Sequence, residues 1–208
     1  MTDIWKEELR WWRTLLTGWN RRSILVPRTY MRGQQTPLEV PLTDASRAHG
    51  KHSGAGAVLG ALYCHYVFTA HEVAHLTIMD LEGLAAVLWV KYLCEHHADL
   101  LRGKRFVGLC DNEPFVAAVN KRGSNYPQIA YLIGILHKLQ CQIGFDFTLQ
   151  YIPSKENIAA DALSRGRLQE YFDHMSDTYN LTPAQLTEVP VDQETRSSIS
   201  SAMIRRKL

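Results

Sequence analysis

The chain has 208 residues, of which 46% are apolar and 21% charged, with a net charge of +2. That size suits one domain of ordinary length plus flanks, with enough apolar content for a real core, and the charge is too small to imply nucleic-acid binding by itself. The absence of any run of about 18 apolar residues argues against a membrane-spanning helix, and a charged, Trp-rich beginning is unlike a signal peptide. Cys64, Cys94, Cys110 and Cys141 are scattered without a CxxC pair, so they read as buried thiols of an intracellular protein rather than a disulfide framework.

In chain order, Thr2 or Asp3 can cap a first helix that stops at Gly18. Trp5, Leu9, Trp12 and Leu16 share one face of it, expected to dock on the domain that follows or on a partner. Arg21, Arg22, Arg28 and Arg32 follow in a looser basic stretch, open to phosphate contact or to solvent. A strand runs to Asp44, a turn rich in Gly, His and Lys covers 47–54, and further strands are expected over 55–62 and 63–69. Such a strand-turn-strand opening fits antiparallel pairing at the start of a mixed sheet.

His71-Glu72-Val73-Ala74-His75 matches HExxH, a zinc-binding pattern that requires both histidines on one helix face. The β-branched residues around it suggest a strand instead, where positions four apart lie too far from each other for one tetrahedral ion. Surface or edge-strand histidines are the expectation, and Cys94, His96 and His97 read as a solvated helix end. A long apolar helix spans about 79–97, a strand covers 106–110, and a short helix runs from Pro114 to Asn120. Lys121 to Ser124 make a basic turn, and Asn125 can cap the helix from Pro127 through Leu139.

Residues 145–152 alternate bulky and polar types as a strand does, and Pro153 ends it. Ser154 can cap the helix that follows, whose apolar face is Ile158, Ala159, Ala162 and Leu163, with Gly166 as its stop. Asp161 sits within this stripe beside alanines, so it must be paired, protonated or metal-bound. Beyond Gly166, Leu168 to Met175 form a helix, a weak one starts at Thr182-Pro183, and the serine-rich end with Arg205-Arg206-Lys207 is expected to be disordered.

Three further acids stand in comparable settings: Asp44 and Asp111 at strand ends, and Glu82 near the start of the long helix. With Thr43-Asp44-Ala45-Ser46, Glu82 in LEGLAAVLWVKYL, Asp111-Asn112 and NIAADALSR ending at Arg165, the sequence resembles the ribonuclease H domain of retroelement reverse transcriptases. The order Asp, Glu, Asp, Asp and the closing ADALSR carry most of this. ELRWW and WNRRSIL resemble, more narrowly, the segment before ribonuclease H in DIRS-like retroelements with a tyrosine recombinase. The resemblance covers roughly residues 4–166. It implies an α/β fold with a mixed five-stranded sheet, strand 2 antiparallel, flanked by helices. The organisation it suggests is a connector helix and basic linker over 1–36, the ribonuclease H-like domain over 37–166, and a tail over 167–208. Asp80 is an alternative to Glu82 as the second acid. Gly83, where the family usually has leucine, and Trp89, where it often has alanine, are departures.

The implied activity is metal-dependent hydrolysis of the RNA strand of RNA/DNA hybrids. Two divalent ions roughly 3.5–4 Å apart activate water and relieve charge on the leaving oxygen, and oxygen ligands suit Mg²⁺, with Mn²⁺ as an alternative. By resemblance Asp44 bridges both ions, Glu82 and Asp111 complete one side, and Asp161 holds the second. Hybrid choice requires contacts to 2′-hydroxyls, for which Ser46 and Asn112 are candidates, while Lys121 and Arg122 are candidates for DNA phosphates. Asn157, at the start of the last helix, joins them as a candidate substrate contact. The loop Pro153 to Asn157 lacks the histidine of the cellular enzymes, which implies slower turnover. Polymerase domains of a reverse transcriptase are a conceivable partner, although no YxDD-like polymerase motif occurs. A non-catalytic binding descendant and a transposase or integrase of the same fold are the competing readings.

Overall fold

The computed structural model describes residues 3–17, 40–47 and 52–207. The basic stretch carrying Arg21, Arg22, Arg28 and Arg32 lies outside them. Helix α1 (Asp3–Thr17) forms as expected, and Leu9, Trp12 and Leu16 are exposed rather than packed on the domain. Trp11, which the spacing did not single out, instead meets Lys138, whose Nζ is 5.6 Å from the ring centroid.

Strands β1 (Leu42–Ala45), β2 (Gly54–Leu59) and β3 (Leu62–Val67) are consecutive antiparallel neighbours, with Asp44 opposite Gly56 and Gly56 opposite His65. The expected strand through HExxH is not a strand. It is helix α2 (Ala70–His75), followed by α3 (Ile78–His96). The reason is two successive capping boxes. Thr69 accepts from the Glu72 N–H while Glu72 accepts from the Thr69 N–H, and Thr77 and Asp80 repeat the arrangement. Each box satisfies amide donors that a helix start leaves orphaned, and that gain outweighs the β preference of the branched residues.

After α4 (Ala98–Leu101), β4 (Arg105–Cys110) pairs parallel to β1. Helices α5 (Glu113–Asn120) and α6 (Pro127–Ile143) then lead to β5 (Asp146–Tyr151), parallel to β4. Tyr126 rather than Asn125 is the residue before α6. Ser154 to Glu156 form a single 3₁₀ turn before α7 (Ile158–Ser164). The sheet order is β5-β4-β1-β2-β3-β6, where β6 (Thr187–Glu188) pairs parallel to β3. The expected mixed five-stranded sheet with an antiparallel second strand is therefore present, widened by one short edge strand.

One face of the sheet is covered by α3, with α6 packed on it, around Leu84, Val87, Phe115, Leu132 and Leu136. Gly83 belongs to this packing: a Cβ there would lie 2.6 Å from Leu132 and 2.9 Å from Phe115, so a leucine has no room. The opposite face is covered by α7 and α8 (Leu168–Tyr179), through Ala160, Leu163, Tyr171 and Met175. Gly56 sets the spacing there, since a Cβ would stand 2.4 Å from the Ala160 carbonyl. Helix α7 thus lies against the backbone of β2.

The serine-rich end expected to be disordered is helix α9 (Gln193–Lys207), with Ile199, Met203 and Ile204 buried in the main core. Arg196 is buried as well, pairing with Glu72 of α2 and standing over the Tyr66 ring. Cys64, Cys94 and Cys110 are buried free thiols and Cys141 is half-buried. Among the described residues no helix is long and apolar enough to cross a membrane.

Candidate active site

Because β1 and β4 run parallel as neighbours, their carboxyl-terminal ends open at the same edge of the sheet. That edge receives Asp44 and Asp111. Residues alternate across a strand, so Leu42 and Asp44 share the face covered by α7. Glu82 enters from α3, one turn into the helix and almost wholly buried. Asp80, the alternative, spends its carboxylate on the Thr77 amide and hydroxyl, both at 2.8 Å, as a helix cap. Carboxylate oxygens of Glu82 and Asp111 and the Cys110 sulfur all lie within 4.8 Å of one another.

The electrostatics record this crowding. Burial is the main cause that raises the pKa of Asp44 from 3.8 to about 7; the charges of Asp111 and Asp161 add to it, while the Ser164 hydroxyl opposes it. Burial, then Asp44 and Asp111, push Glu82 well above its ordinary value, against an Ala45 N–H that favours the anion. The Cys110 thiol is raised by burial and by Glu82, so it stays protonated and acts as a weak donor toward the Glu82 carboxylate at 4.0 Å. Two buried acids that share charge in this way favour a bound cation, and their oxygen atoms match what a hard divalent ion accepts.

Asp161 differs from the other three. The sequence left it beside alanines, but Arg165 Nε bonds its Oδ1 at 2.7 Å and Arg167 bonds its Oδ2. Among the described residues no Lys or Arg forms an ion pair with Asp44, Glu82 or Asp111. Hydroxyls serve two of those: Ser164 Oγ donates to Asp44, and Ser154 Oγ donates to Asp111 at 2.5 Å.

The expected substrate contacts divide. Ser46 is buried, its hydroxyl donating to the Ser164 carbonyl at 2.7 Å, and Asn157 is wholly buried, its Nδ2 donating to the Thr43 carbonyl at 2.9 Å. Both side chains are thus buried fasteners between α7 and the end of β1. Asn112 is half-buried at the cap of α5, accepting from the Phe115 N–H at 3.1 Å. Lys121 is exposed, and Arg122, also exposed, pairs with Asp146 at 3.1 Å. Ser154, Ser164 and Arg167 are the polar partners of the acids that sequence reasoning passed over. Ser164 and Arg165 stood inside the quoted ADALSR, three and four residues beyond Asp161, where one helical turn returns side chains to the same face.

No protein-family model and no curated protein matches the chain. Among solved structures, it is similar to RNase H1 from the halophilic archaeon Halobacterium salinarum NRC-1, with 16% identity and a TM-score of 0.46 over 62% of this chain and 96% of that one. It is also similar to LC11-RNase H1 in complex with an RNA/DNA hybrid, with 15% identity and a TM-score of 0.48 over 62% of this chain and 98% of that one.

Proposed function

We propose that the chain is a metal-dependent endonuclease of the retroelement ribonuclease H type, hydrolysing the RNA strand of RNA/DNA hybrids. The observation that carries this is the meeting of Glu82 and Asp111 at one sheet edge, beside the buried Asp44 whose charge acts on Glu82, with no cationic side chain paired to any of the three among the described residues. Asp44, Glu82 and Asp111 would hold a divalent ion, Mg²⁺ or Mn²⁺, which when bound polarises the scissile phosphate and lowers the pKa of a water nucleophile. Ser164 and Ser154 donate to the Asp44 and Asp111 carboxylates and would hold them in place for the ion. Glu82, kept out of water, lends charge only when a cation is there to receive it. Asp161 would serve a second ion, and its two arginines would have to turn away first.

That last feature favours a second reading, a domain of the same fold that binds nucleic acid without cutting it, because Arg165 and Arg167 already satisfy Asp161. Cleavage of a labelled hybrid in Mg²⁺ or Mn²⁺, native chain against Asp111→Asn, separates the two. Hybrid-specific RNA cleavage that is lost in the variant supports the nuclease. Binding of hybrid without cleavage by the folded native chain supports the second reading.

A further inference from the structure

We infer that His71 and His75 form a surface site for a divalent transition ion of the zinc, nickel or copper kind, separate from the acid cluster. The placement of HExxH on α2 removes the ground for dismissing metal binding here. The two imidazoles are four residues apart on one helix, both exposed, with ring centroids 4.4 Å apart. That is the spacing at which one helix face offers two nitrogens to one ion.

A second observation presets one of the ligands. His75 Nδ1 lies 2.9 Å from the His71 carbonyl. A carbonyl only accepts, so Nδ1 carries a proton, which leaves Nε2 as the nitrogen of this ring available to a metal. Backbone hydrogen bonding of this type fixes tautomer and ring orientation in metal-binding histidines.

The glutamate of the motif takes no part. Glu72 is 3% exposed, and it is held by Arg196 and by the Thr69 amide and hydroxyl. It therefore cannot act as a base on metal-bound water, which removes the proteolytic chemistry the motif otherwise suggests. Among the described residues no third His, Cys, Asp or Glu joins the pair. The ion keeps its remaining positions for water or for a side chain of another molecule, and imidazole donors select Zn²⁺, Ni²⁺ or Cu²⁺ over Mg²⁺. Helix α2 is tied to its surroundings through its backbone, Arg47 donating to the Val73 carbonyl at 2.8 Å and Lys207 to the His75 carbonyl at 2.7 Å.

The test is calorimetric titration of the full chain with Ni²⁺ in excess Mg²⁺, which occupies the carboxylates. The expected result is one Ni²⁺ per chain, with affinity lowered about tenfold or more in His71→Ala and in His75→Ala. Both side chains are exposed, so these variants should melt like the native chain without nickel. Undiminished nickel binding in both variants, loss instead in His96→Ala, or no nickel binding by the native chain would overturn the inference. None of these outcomes touches the nuclease reading, which is measured by hybrid cleavage in Mg²⁺ or Mn²⁺ without nickel.

Discussion

Ser164 donates its hydroxyl proton to the carboxylate of Asp44, across 120 residues of chain. The bond joins the last turn of α7 to the end of β1, and it is the main influence that opposes the upward shift of Asp44 caused by burial. Burial dominates the protonation state of the central acid, and a residue on a different element tempers it. Ser164→Ala should raise the Asp44 pKa further. In a hybrid-cleavage assay the acid limb of the pH–rate profile would move to higher pH, while the alkaline limb stays in place.

Asp44 also makes stability depend on pH. The folded chain holds its proton up to about pH 7, whereas the unfolded carboxyl loses it near 3.8. Between those values the folded state binds more protons, so metal-free stability should fall as pH rises from about 4 through 7. Divalent metal binds the ionised form and should offset the fall increasingly toward pH 8. Melting temperatures measured across this range with EDTA and with Mg²⁺ would check both statements. Asp44→Asn should flatten the metal-free slope.

The arginine pair on Asp161 predicts a metal phenotype. With Arg165→Ala and Arg167→Ala combined, Asp161 loses both partners. The acid cluster then gains an uncompensated negative charge. Mn²⁺ should bind several-fold more tightly, read from the dependence of melting temperature on metal concentration. Equal metal affinity in native chain and variant would show that Asp161 stands apart from the cation site.

Glu72 and Arg196 form a buried pair between α2 and α9. Burial disfavours the Glu72 anion, but the Arg196 and Thr69 bonds outweigh it and hold the pKa below its ordinary value. Removing one partner from such a pair costs about 3–5 kcal/mol. Arg196→Met should therefore lower the melting temperature by roughly 10 °C at neutral pH. The difference between variant and native chain should narrow as pH falls and Glu72 takes up a proton.

Gly56→Ala tests the seating of α7. The added methyl would meet the Ala160 carbonyl and the Leu163 side chain. Overpacking at such a contact costs about 1–3 kcal/mol, and because Asp161 and Ser164 ride on α7, hybrid cleavage should fall further than stability does. Parallel thermal melts and cleavage assays would separate the two effects.

The parts of this fold that were legible in the sequence depend on local pattern. The Asp146–Tyr151 strand, the α3 and α5 helices and the C-terminal end of α7 followed from alternation, periodicity and stop residues, whereas Ser154, expected to cap α7, lies in the separate 3₁₀ turn before it. The grouping of Asp44, Glu82 and Asp111 was reached by resemblance; Glu82 and Asp111 lie together with Cys110, and Asp44 adjoins them closely enough for its charge to act on Glu82. Two errors have distinct causes. The α2 segment departs from its strand expectation because Thr69-x-x-Glu72 and Thr77-x-x-Asp80 are cap signatures, local signals that outweigh β-branched composition. Helix α9 could not be read locally, because its stripe is short and its buried arginine is tolerable only against a glutamate far back in the chain. Asp161 combined both faults, with Arg165 one turn away and Arg167 just past a glycine.

The C-terminal stretch also bears on how this protein can be cut into pieces. A fragment stopped at Gly166, where the resemblance ends, would leave Tyr63 without the Tyr171 ring 5.0 Å away and would strip β3 of its β6 neighbour. It would also strand the Glu72 carboxylate in an apolar setting. An open strand edge beside uncovered aromatics invites chains to pair with one another. Recombinant fragments with that boundary should collect in inclusion bodies, whereas chains that keep α9 should stay in the soluble fraction.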